Sequence, residues 1–443
     1  MKKLLLIILL TISYLSSQTG TETTQGDKME WYRDAKLGVF IHWGIYSVKG
    51  IGESWSFFND HISHKDYIAQ KDGFKCENYN PKYWAKLIKN SGAKYSVITS
   101  KHHDGFALWD TKLGNLNAVE HSAVGRDLLT PFVDALRENN LKVGLYFSLP
   151  DWSYEDYTEH TRKIKRYKIE DDPERWERFL NYSQGQMKEL ADKYNPDLWW
   201  FDGDWEHNEK EWRVDKIKSI MYNKNPNSIC NSRLNGKGDY ETPELGVPIQ
   251  RPNAKYWELC ITMNDSWGYQ PQDKNHKSPQ QVIDLLVDCI SKGGNLLIDI
   301  GPKSDGTIIP EQEEVLRELG KWTSKHEEAI YGSDRGIPYD YFYGPTTLSK
   351  DGETLYLFVR DTPKDGKIIL KGIVNDIEDI YLVGSNKRLD HKLYSKVSWN
   401  SYPGVRYIDI DKEDIDKYYN VVAVKLKGKI KLYGGKSGAI ESN

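Results

Sequence analysis

The chain has 443 residues, room for a barrel-sized domain of about 250 to 300 residues and a smaller companion. Its formal net charge of −4 argues against a nucleic-acid partner or a charged membrane surface. Aromatics are skewed, with 15 Trp and 29 Tyr against 11 Phe, a composition that suits stacking on sugar rings as well as ordinary core filling.

Residues 1–17 carry two lysines, an apolar run from Leu4 to Leu10 and then small polar residues. This is the pattern of a secretory signal peptide, too short to span a membrane, and it predicts a secreted or periplasmic address. No cysteine lies near its end, which argues against a lipid anchor, and residues 20–26 read as a flexible lead-in. Cys76, Cys230, Cys260 and Cys289 form no CxxC pair and no zinc-type spacing; the last three sit in apolar surroundings that suit buried thiols.

From Met29 onward short apolar strands alternate with amphipathic helices, the signature of parallel βα units. A first strand is expected over 37–44, ending near His42, then a helix over 81–90 with Pro at its first turn. The strand at 94–100 runs directly into Lys101-His102-His103-Asp104-Gly105-Phe106. A helix over 127–140 and a strand over 141–148 follow, and a long helix at 173–194 opens with Pro and acidic residues. It leads to a strand ending at Asp202, whose run Leu198-Trp199-Trp200-Phe201 shows no alternation and so reads as buried on both faces. Helix 212–224, strands 228–233 and 256–262, helix 278–292, strand 295–300 and helix 310–331 complete the series. Seven strands are one short of a closed (β/α)8 barrel, so either the eighth lies in an irregular stretch or the barrel is imperfect.

After residue 335 the texture changes to short β-rich runs at 354–360, 367–370, 380–383, 421–426 and 430–433, separated by Lys, Asp and Gly turns. The expected organisation is α/β: a TIM-like barrel over 27–335, followed by a C-terminal β-sandwich over 336–443.

Polar groups recur where strands end: His42, His102, His103, Asp202 and Arg233. At the C-terminal mouth of a barrel these converge on one pocket. A lone strand-end His or Asp ordinarily satisfies local structure; several together, with tryptophans beside them, favour an active site. His102, His103 and Asp104 invite a metal reading, but adjacent residues on an extended segment point apart and would not share one ion. No GxSxG elbow supports a serine hydrolase. Paired carboxylates fit better, with Asp202 (Asp204 its local rival) as nucleophile and a second acid as proton donor. Glu241, Glu244 and Glu258 are the candidates for that second acid, and the residues alone leave the choice open.

The stretches Gly38-Val-Phe-Ile-His42-Trp43-Gly44, Lys101-His-His-Asp-Gly-Phe106, Trp200-Phe-Asp202-Gly203, Trp257-Glu258, Ser266-Trp267-Gly268-Tyr269 and Gly294-Asn295-Leu-Leu-Ile-Asp-Ile-Gly301-Pro302 run in one order from about residue 30 to 335. In that combination the chain resembles the family 29 glycoside hydrolases, the retaining α-L-fucosidases. The resemblance implies an imperfect barrel with a β-sandwich behind it, and Asp202 as nucleophile. It implies Glu244 as acid/base, from the Thr242-Pro243-Glu244 segment after Arg233. It also implies a sugar pocket of His42, His102 and His103 with Glu53 and Trp55, lined further by Tyr146 and Trp267 and served by Arg233. Ser54 separates Glu53 from Trp55, which many members carry adjacent, and Asp299 stands where Asn is commoner. The expected substrate is a fucosylated oligosaccharide or glycan, with no metal or organic cofactor, no nucleic acid and no membrane insertion; a homo-oligomer is left open. The alternatives are an inactive fucose-binding protein on the same scaffold, or a hydrolase of a related α-L-sugar or sulfated fucan.

Overall fold

The computed structural model describes residues 27–435 apart from positions 362, 400 and 415; the expected signal peptide lies outside the described residues. All seven expected strands form: β1 (Leu37–Ile41), β2 (Tyr95–Lys101), β3 (Lys142–Ser148), β4 (Leu198–Asp202), β5 (Ile229–Cys230), β6 (Glu258–Thr262) and β7 (Asn295–Ile300). They build one parallel sheet in the order β5-β4-β3-β2-β1-β7-β6, and β1, β2, β4, β6 and β7 are buried along their whole length. That is why they lack alternation: helices cover one face and the barrel interior the other.

Strand β5 is shorter than the sequence suggests, for a visible reason. Beyond Cys230 the Asn231 side chain replaces the backbone in the ladder, its Oδ1 accepting from Phe201 N and its Nδ2 donating to Phe201 O, both at 2.9 Å. The main chain is thereby freed to carry Arg233 toward the barrel mouth.

The missing eighth strand is an irregular segment. Residues 239–245 lie between β5 and β6 and touch both through isolated bridges: Asn231 with Tyr240 on one side, Glu241 with Trp257 and Glu244 with Cys260 on the other. Tyr240 O accepts from Ser232 N at 2.7 Å, and Leu245 N donates to Cys260 O at 3.0 Å. Pro243 has no N–H to give a regular ladder. Gly238 packs so closely that a Cβ there would lie 1.9 Å from Asn231 O. The barrel therefore closes through a segment that hydropathy could not mark as a strand.

Helices at Pro81–Asn90 and Pro173–Tyr194 match expectation to the residue; Asn80 and Asp172 cap them by accepting from Tyr83 N and Arg175 N. The expected helix 310–331 instead breaks into Pro310–Lys325 and Glu327–Ile330. At the break His326 is buried, with Nδ1 2.9 Å from Trp322 O, and the displaced second piece sends Ala329 and Ile330 into the core. The helix expected from 212 starts at Val214, because Arg213 takes a left-handed conformation after the short helix Glu209–Trp212.

Behind the barrel stand a six-stranded and a three-stranded antiparallel sheet. Strands at Thr354–Val359, Lys367–Lys371, Ile377–Leu382 and Asn420–Leu426 fall where runs were expected. Those at Thr346–Leu348, His391–Tyr394 and Val405–Asp409 were not foreseen, being short and partly polar. The two-residue periodicity of a strand divides the packing: Leu355, Leu357, Val422 and Val424 enter the core between the two sheets. Tyr356, Phe358, Val421 and Ala423 point the other way and join Trp322 in the barrel's own core. All four cysteines are buried and free. No helix among the described residues is long and apolar enough to cross a membrane.

Candidate active site

The parallel strands deliver their C-terminal ends to one mouth. Asp202, the last residue of β4, is only 8% exposed. Its Oδ1 accepts from Arg233 Nη1 at 2.8 Å and its Oδ2 from the Tyr146 hydroxyl at 3.0 Å; His103 Nε2 stands 3.5 Å from Oδ2. Burial works to raise the Asp202 pKa, but His103 and Arg233 outweigh it and hold the carboxyl well below the ordinary carboxylate range. The group is a buried carboxylate that stays charged, which nucleophilic attack requires.

Arg233 joins the two acids. While Nη1 holds Asp202, Nη2 donates to Glu244 Oε2 at 2.5 Å and Nε to Thr242 Oγ1 at 3.1 Å. Its guanidinium lies over the Trp200 ring, 4.6 Å from the centroid. Glu244 is open to solvent, with 36% of its side chain exposed. The other two candidate acids are placed differently. Glu258 is fully buried below the mouth, accepting from Trp200 Nε1 at 3.1 Å and from the Tyr95 hydroxyl. Burial pushes its pKa up to about 7 despite those hydrogen bonds. Glu241 lines a surface cavity of 790 Å³ with Asp239, Lys255 and Tyr256, to which Asp202 does not contribute. Asp204, the rival nucleophile, caps the Arg233 loop: its Oδ2 accepts from Asn235 N at 2.6 Å.

The expected pocket residues come together as one aromatic wall. His42 lies 4.8 Å from Trp267, 6.0 Å from His102 and 5.8 Å from Tyr146 between ring centroids. His102 stacks on Tyr146 at 5.4 Å, and Trp55 meets His103 edge-on at 5.6 Å. Glu53 is buried behind Trp267, where its Oε1 accepts from Gly268 N. One expectation needs correction: His102 and His103 do not point apart. Strand β2 ends at Lys101, the chain turns there, and the two rings sit 4.4 Å from each other. Among the described residues no group of three His, Cys, Asp or Glu side chains is spaced to hold a metal ion.

Each histidine is oriented by a partner behind it. Ser148 Oγ donates to Pro150 O at 2.5 Å, so it accepts from His103 Nδ1–H at 2.6 Å and turns Nε2 toward Asp202. Ser54 Oγ pairs with His102 Nδ1 at 2.5 Å; the residue that separates Glu53 from Trp55 thus has a role of its own. Burial holds His102 well below the ordinary imidazole pKa and lowers His42 to about 3. His42 Nδ1 lies 2.7 Å from Asp299 Oδ1. Burial, reinforced by the Glu53 charge, raises the Asp299 pKa well above its ordinary value. Burial thus works against charge on both partners; an Asp299 that carries the proton would donate it to Nδ1 and leave Nε2–H free as a donor. A protonated Asp would do here what an Asn amide does.

Beneath the His102–His103 turn lies a buried polar layer that sequence reading passed over. Lys101 Nζ stands 3.5 Å from Asp151 Oδ2, which also accepts from the Tyr182 hydroxyl at 2.8 Å. Asp151 Oδ1 caps Ser153 N and Tyr154 N, and Trp152 N donates to His103 O at 2.9 Å. An unbroken charged pair at a strand end, Lys101 with Asp151, was the available signal.

Over residues 12–328 the sequence matches the family model described as Alpha-L-fucosidase. The chain belongs to the α-L-fucosidase family, glycoside hydrolase family 29. It is 32% identical to a human tissue α-L-fucosidase over 381 residues, covering 77% of each chain, and 31% identical to an α-L-fucosidase of Branchiostoma floridae, covering 77% of this chain and 80% of that one. Among solved structures, α-L-fucosidase isoenzyme 1 from Paenibacillus thiaminolyticus superposes with a TM-score of 0.81 at 31% identity, over 90% of this chain and 99% of that one. A family 29 α-L-fucosidase from Bacteroides thetaiotaomicron, trapped as a covalent intermediate with 2-fluoro-fucosyl fluoride, superposes with a TM-score of 0.79 at 28% identity, over 90% of this chain and 96% of that one. This fucosidase is accordingly a glycoside hydrolase, and its family acts on fucosylated glycans.

Proposed function

We propose that the chain is a retaining exo-α-L-fucosidase in which Asp202 is the nucleophile and Glu244 the acid/base. The observation that carries the reading is the Arg233 fork, which holds both carboxylates at once and so brings together the pair of acids that double displacement needs. The covalent intermediate trapped in the Bacteroides relative supports the retaining route.

In the first step Asp202 attacks the anomeric carbon as the bond to the leaving oxygen breaks, and Glu244 gives that oxygen its proton. In the second, Glu244 takes a proton from water, the water oxygen attacks the same carbon, and the Asp202 ester bond breaks. Arg233 must release Glu244 when the glycosidic oxygen arrives, and Glu244's exposed position allows that movement. His42, His102 and His103 supply ring nitrogens for the fucose hydroxyls. Trp267, Trp55 and Tyr146 supply apolar surface, against which the C6 methyl of a 6-deoxy sugar gains contact. Glu53 buttresses Trp267 through Gly268. A catalytic barrel to residue 335 with a sandwich behind it, and secretion directed by residues 1–17, belong to the same reading; the separate apolar core between the two antiparallel sheets supports the division.

Release of p-nitrophenol from the α-L-fucoside tests it. Asp202→Ala is expected to lose about 10³-fold or more in kcat. Glu244→Ala is expected to lose about 10²- to 10⁴-fold and to be rescued by azide, giving a fucosyl azide of retained configuration at this centre. Azide rescue with inversion, or an unimpaired Glu244→Ala, would remove Glu244 from the role.

A further inference from the structure

Three residues past Asp202, Trp205 departs from the rest of the site. Trp200, two residues before Asp202, is buried and the pocket-wall Trp55 and Trp267 are half-buried, whereas the Trp205 indole is 56% exposed. An aromatic face left open at the rim of a pocket is available to a ligand that enters it.

Its exposure is not looseness. Trp205 sits in a single turn, Asp204–Glu206, fastened on both sides. Asp204 O accepts from Trp212 Nε1 at 3.0 Å, and Asp204 Oδ2 from Asn235 N at 2.6 Å. Glu206 Oε1 accepts from Trp152 Nε1 at 3.0 Å, and Oε2 from the Tyr157 hydroxyl. Gly203 enters the turn at φ +85°, where an added Cβ would meet Pro150 at 2.3 Å. The Asn235 contact ties this turn to the loop that carries Arg233, and so to the partner of Glu244. The indole lies 6.3 Å from the His103 ring, near edge-on at 76°, and His103 is the histidine facing Asp202. The result is a flat, rigid apolar surface at the pocket rim, beside the nucleophile but outside the buried ring wall.

In an exo-acting enzyme the fucosyl unit fills that buried wall, and only the leaving group reaches the rim. A pyranose offers a face of C–H groups to an aromatic ring, and a preorganised surface loses little freedom when it binds. We propose that Trp205 is the stacking platform for the first sugar of the leaving group. The preferred substrate is then a fucosylated oligosaccharide whose leaving group is itself a sugar ring. This rests on the fucosidase reading above.

The test compares wild type, Trp205→Ala and Trp205→Tyr on α-L-fucosyl fluoride, whose leaving group has no ring, and on a panel of fucosylated trisaccharides differing in linkage. For the trisaccharide that wild type cleaves best, Trp205→Ala is expected to lose on the order of tenfold more in kcat/KM than it loses on the fluoride, and Trp205→Tyr to recover most of that loss. Equal losses on both substrates, no loss on the trisaccharide, or wild-type turnover of the fluoride but of no trisaccharide would each overturn the platform. Absence of wild-type turnover on the fluoride would overturn the fucosidase reading, and the platform with it.

Discussion

Two carboxylates buried in the same barrel, Asp202 at the mouth and Glu258 below it, have opposite electrostatic fates. Glu258 has neutral donors, the Trp200 indole and the Tyr95 hydroxyl; burial wins, and its pKa is pushed up to about 7. Asp202 is buried too, yet the Arg233 guanidinium and His103 hold it well below the ordinary range. Burial alone makes a carboxylate a proton holder; burial beside a fixed cation makes it an anion of constant charge. Of these two carboxylates only Asp202 has a cation bonded to it, and Trp200, under Arg233 and above Glu258, is the partition between the two environments.

The sharpest way to break this contrast is to remove the cation. Arg233→Gln is expected to lose on the order of 10²-fold in kcat/KM near neutral pH. It should also move the acid limb of the pH–kcat/KM profile upward. With Arg233 present the Asp202 pKa is depressed, so the carboxylate stays charged until the pH falls well below the usual value of 3.8. Without Arg233, burial is opposed only by His103 and the Tyr146 hydroxyl, and the charged form is lost at higher pH. An acid limb that does not move would show that Arg233 does not set the charge of Asp202.

A smaller effect is expected in the interior. Glu258→Gln should keep activity within about tenfold, because Glu258 reaches the pocket only through Trp200. Its signature is in stability. A raised folded pKa means that the native carboxyl keeps its proton while the unfolded one releases it, so wild-type stability falls as the pH rises from 4.5 toward 7. The variant escapes that loss and should gain stability above pH 7, by at most about 3 kcal/mol. Urea unfolding at pH 4.5 and at pH 8 measures the difference; the same gap between the two proteins at both pH values would mean that folding leaves the Glu258 pKa unshifted.

The mildest test concerns Asp299. If it is protonated and serves as an amide would, Asp299→Asn should retain kcat and KM within a few-fold. The Tm at pH 7 should rise slightly, the gain shrinking as the pH falls toward 3.8, where the unfolded Asp also holds its proton. A large activity loss would show instead that an ionised Asp299 is needed to hold His42.

Most of the strand ends at the barrel mouth were legible because their signals are local. An apolar run such as Leu198-Trp199-Trp200-Phe201 must be buried on both faces, and a polar residue that stops it must emerge where the sheet ends. The eighth barrel position left no such trace. Residues 239–245 hold their place by hydrogen bonds to β5 and β6 rather than by burying an apolar stripe, and Pro243 and the nearby glycines read as loop. The histidine orienters were equally silent: Ser54 and Ser148 are ordinary residues until His102 and His103 come to lie against them.

The sequence by itself determined which barrel strands form, that they run parallel, and that Asp202 and the histidines stand at or just past their ends, because hydrophobic patterning acts over a few residues. Only the tertiary structure sets the acids apart. Glu241, Glu244 and Glu258 differ little as sequence, and what separates them is whether a guanidinium thirty-one residues past Asp202 in the chain folds back to reach one of them. Charge, proton affinity and reach depend on neighbours brought from distant segments, and those neighbours exist only once the barrel has closed.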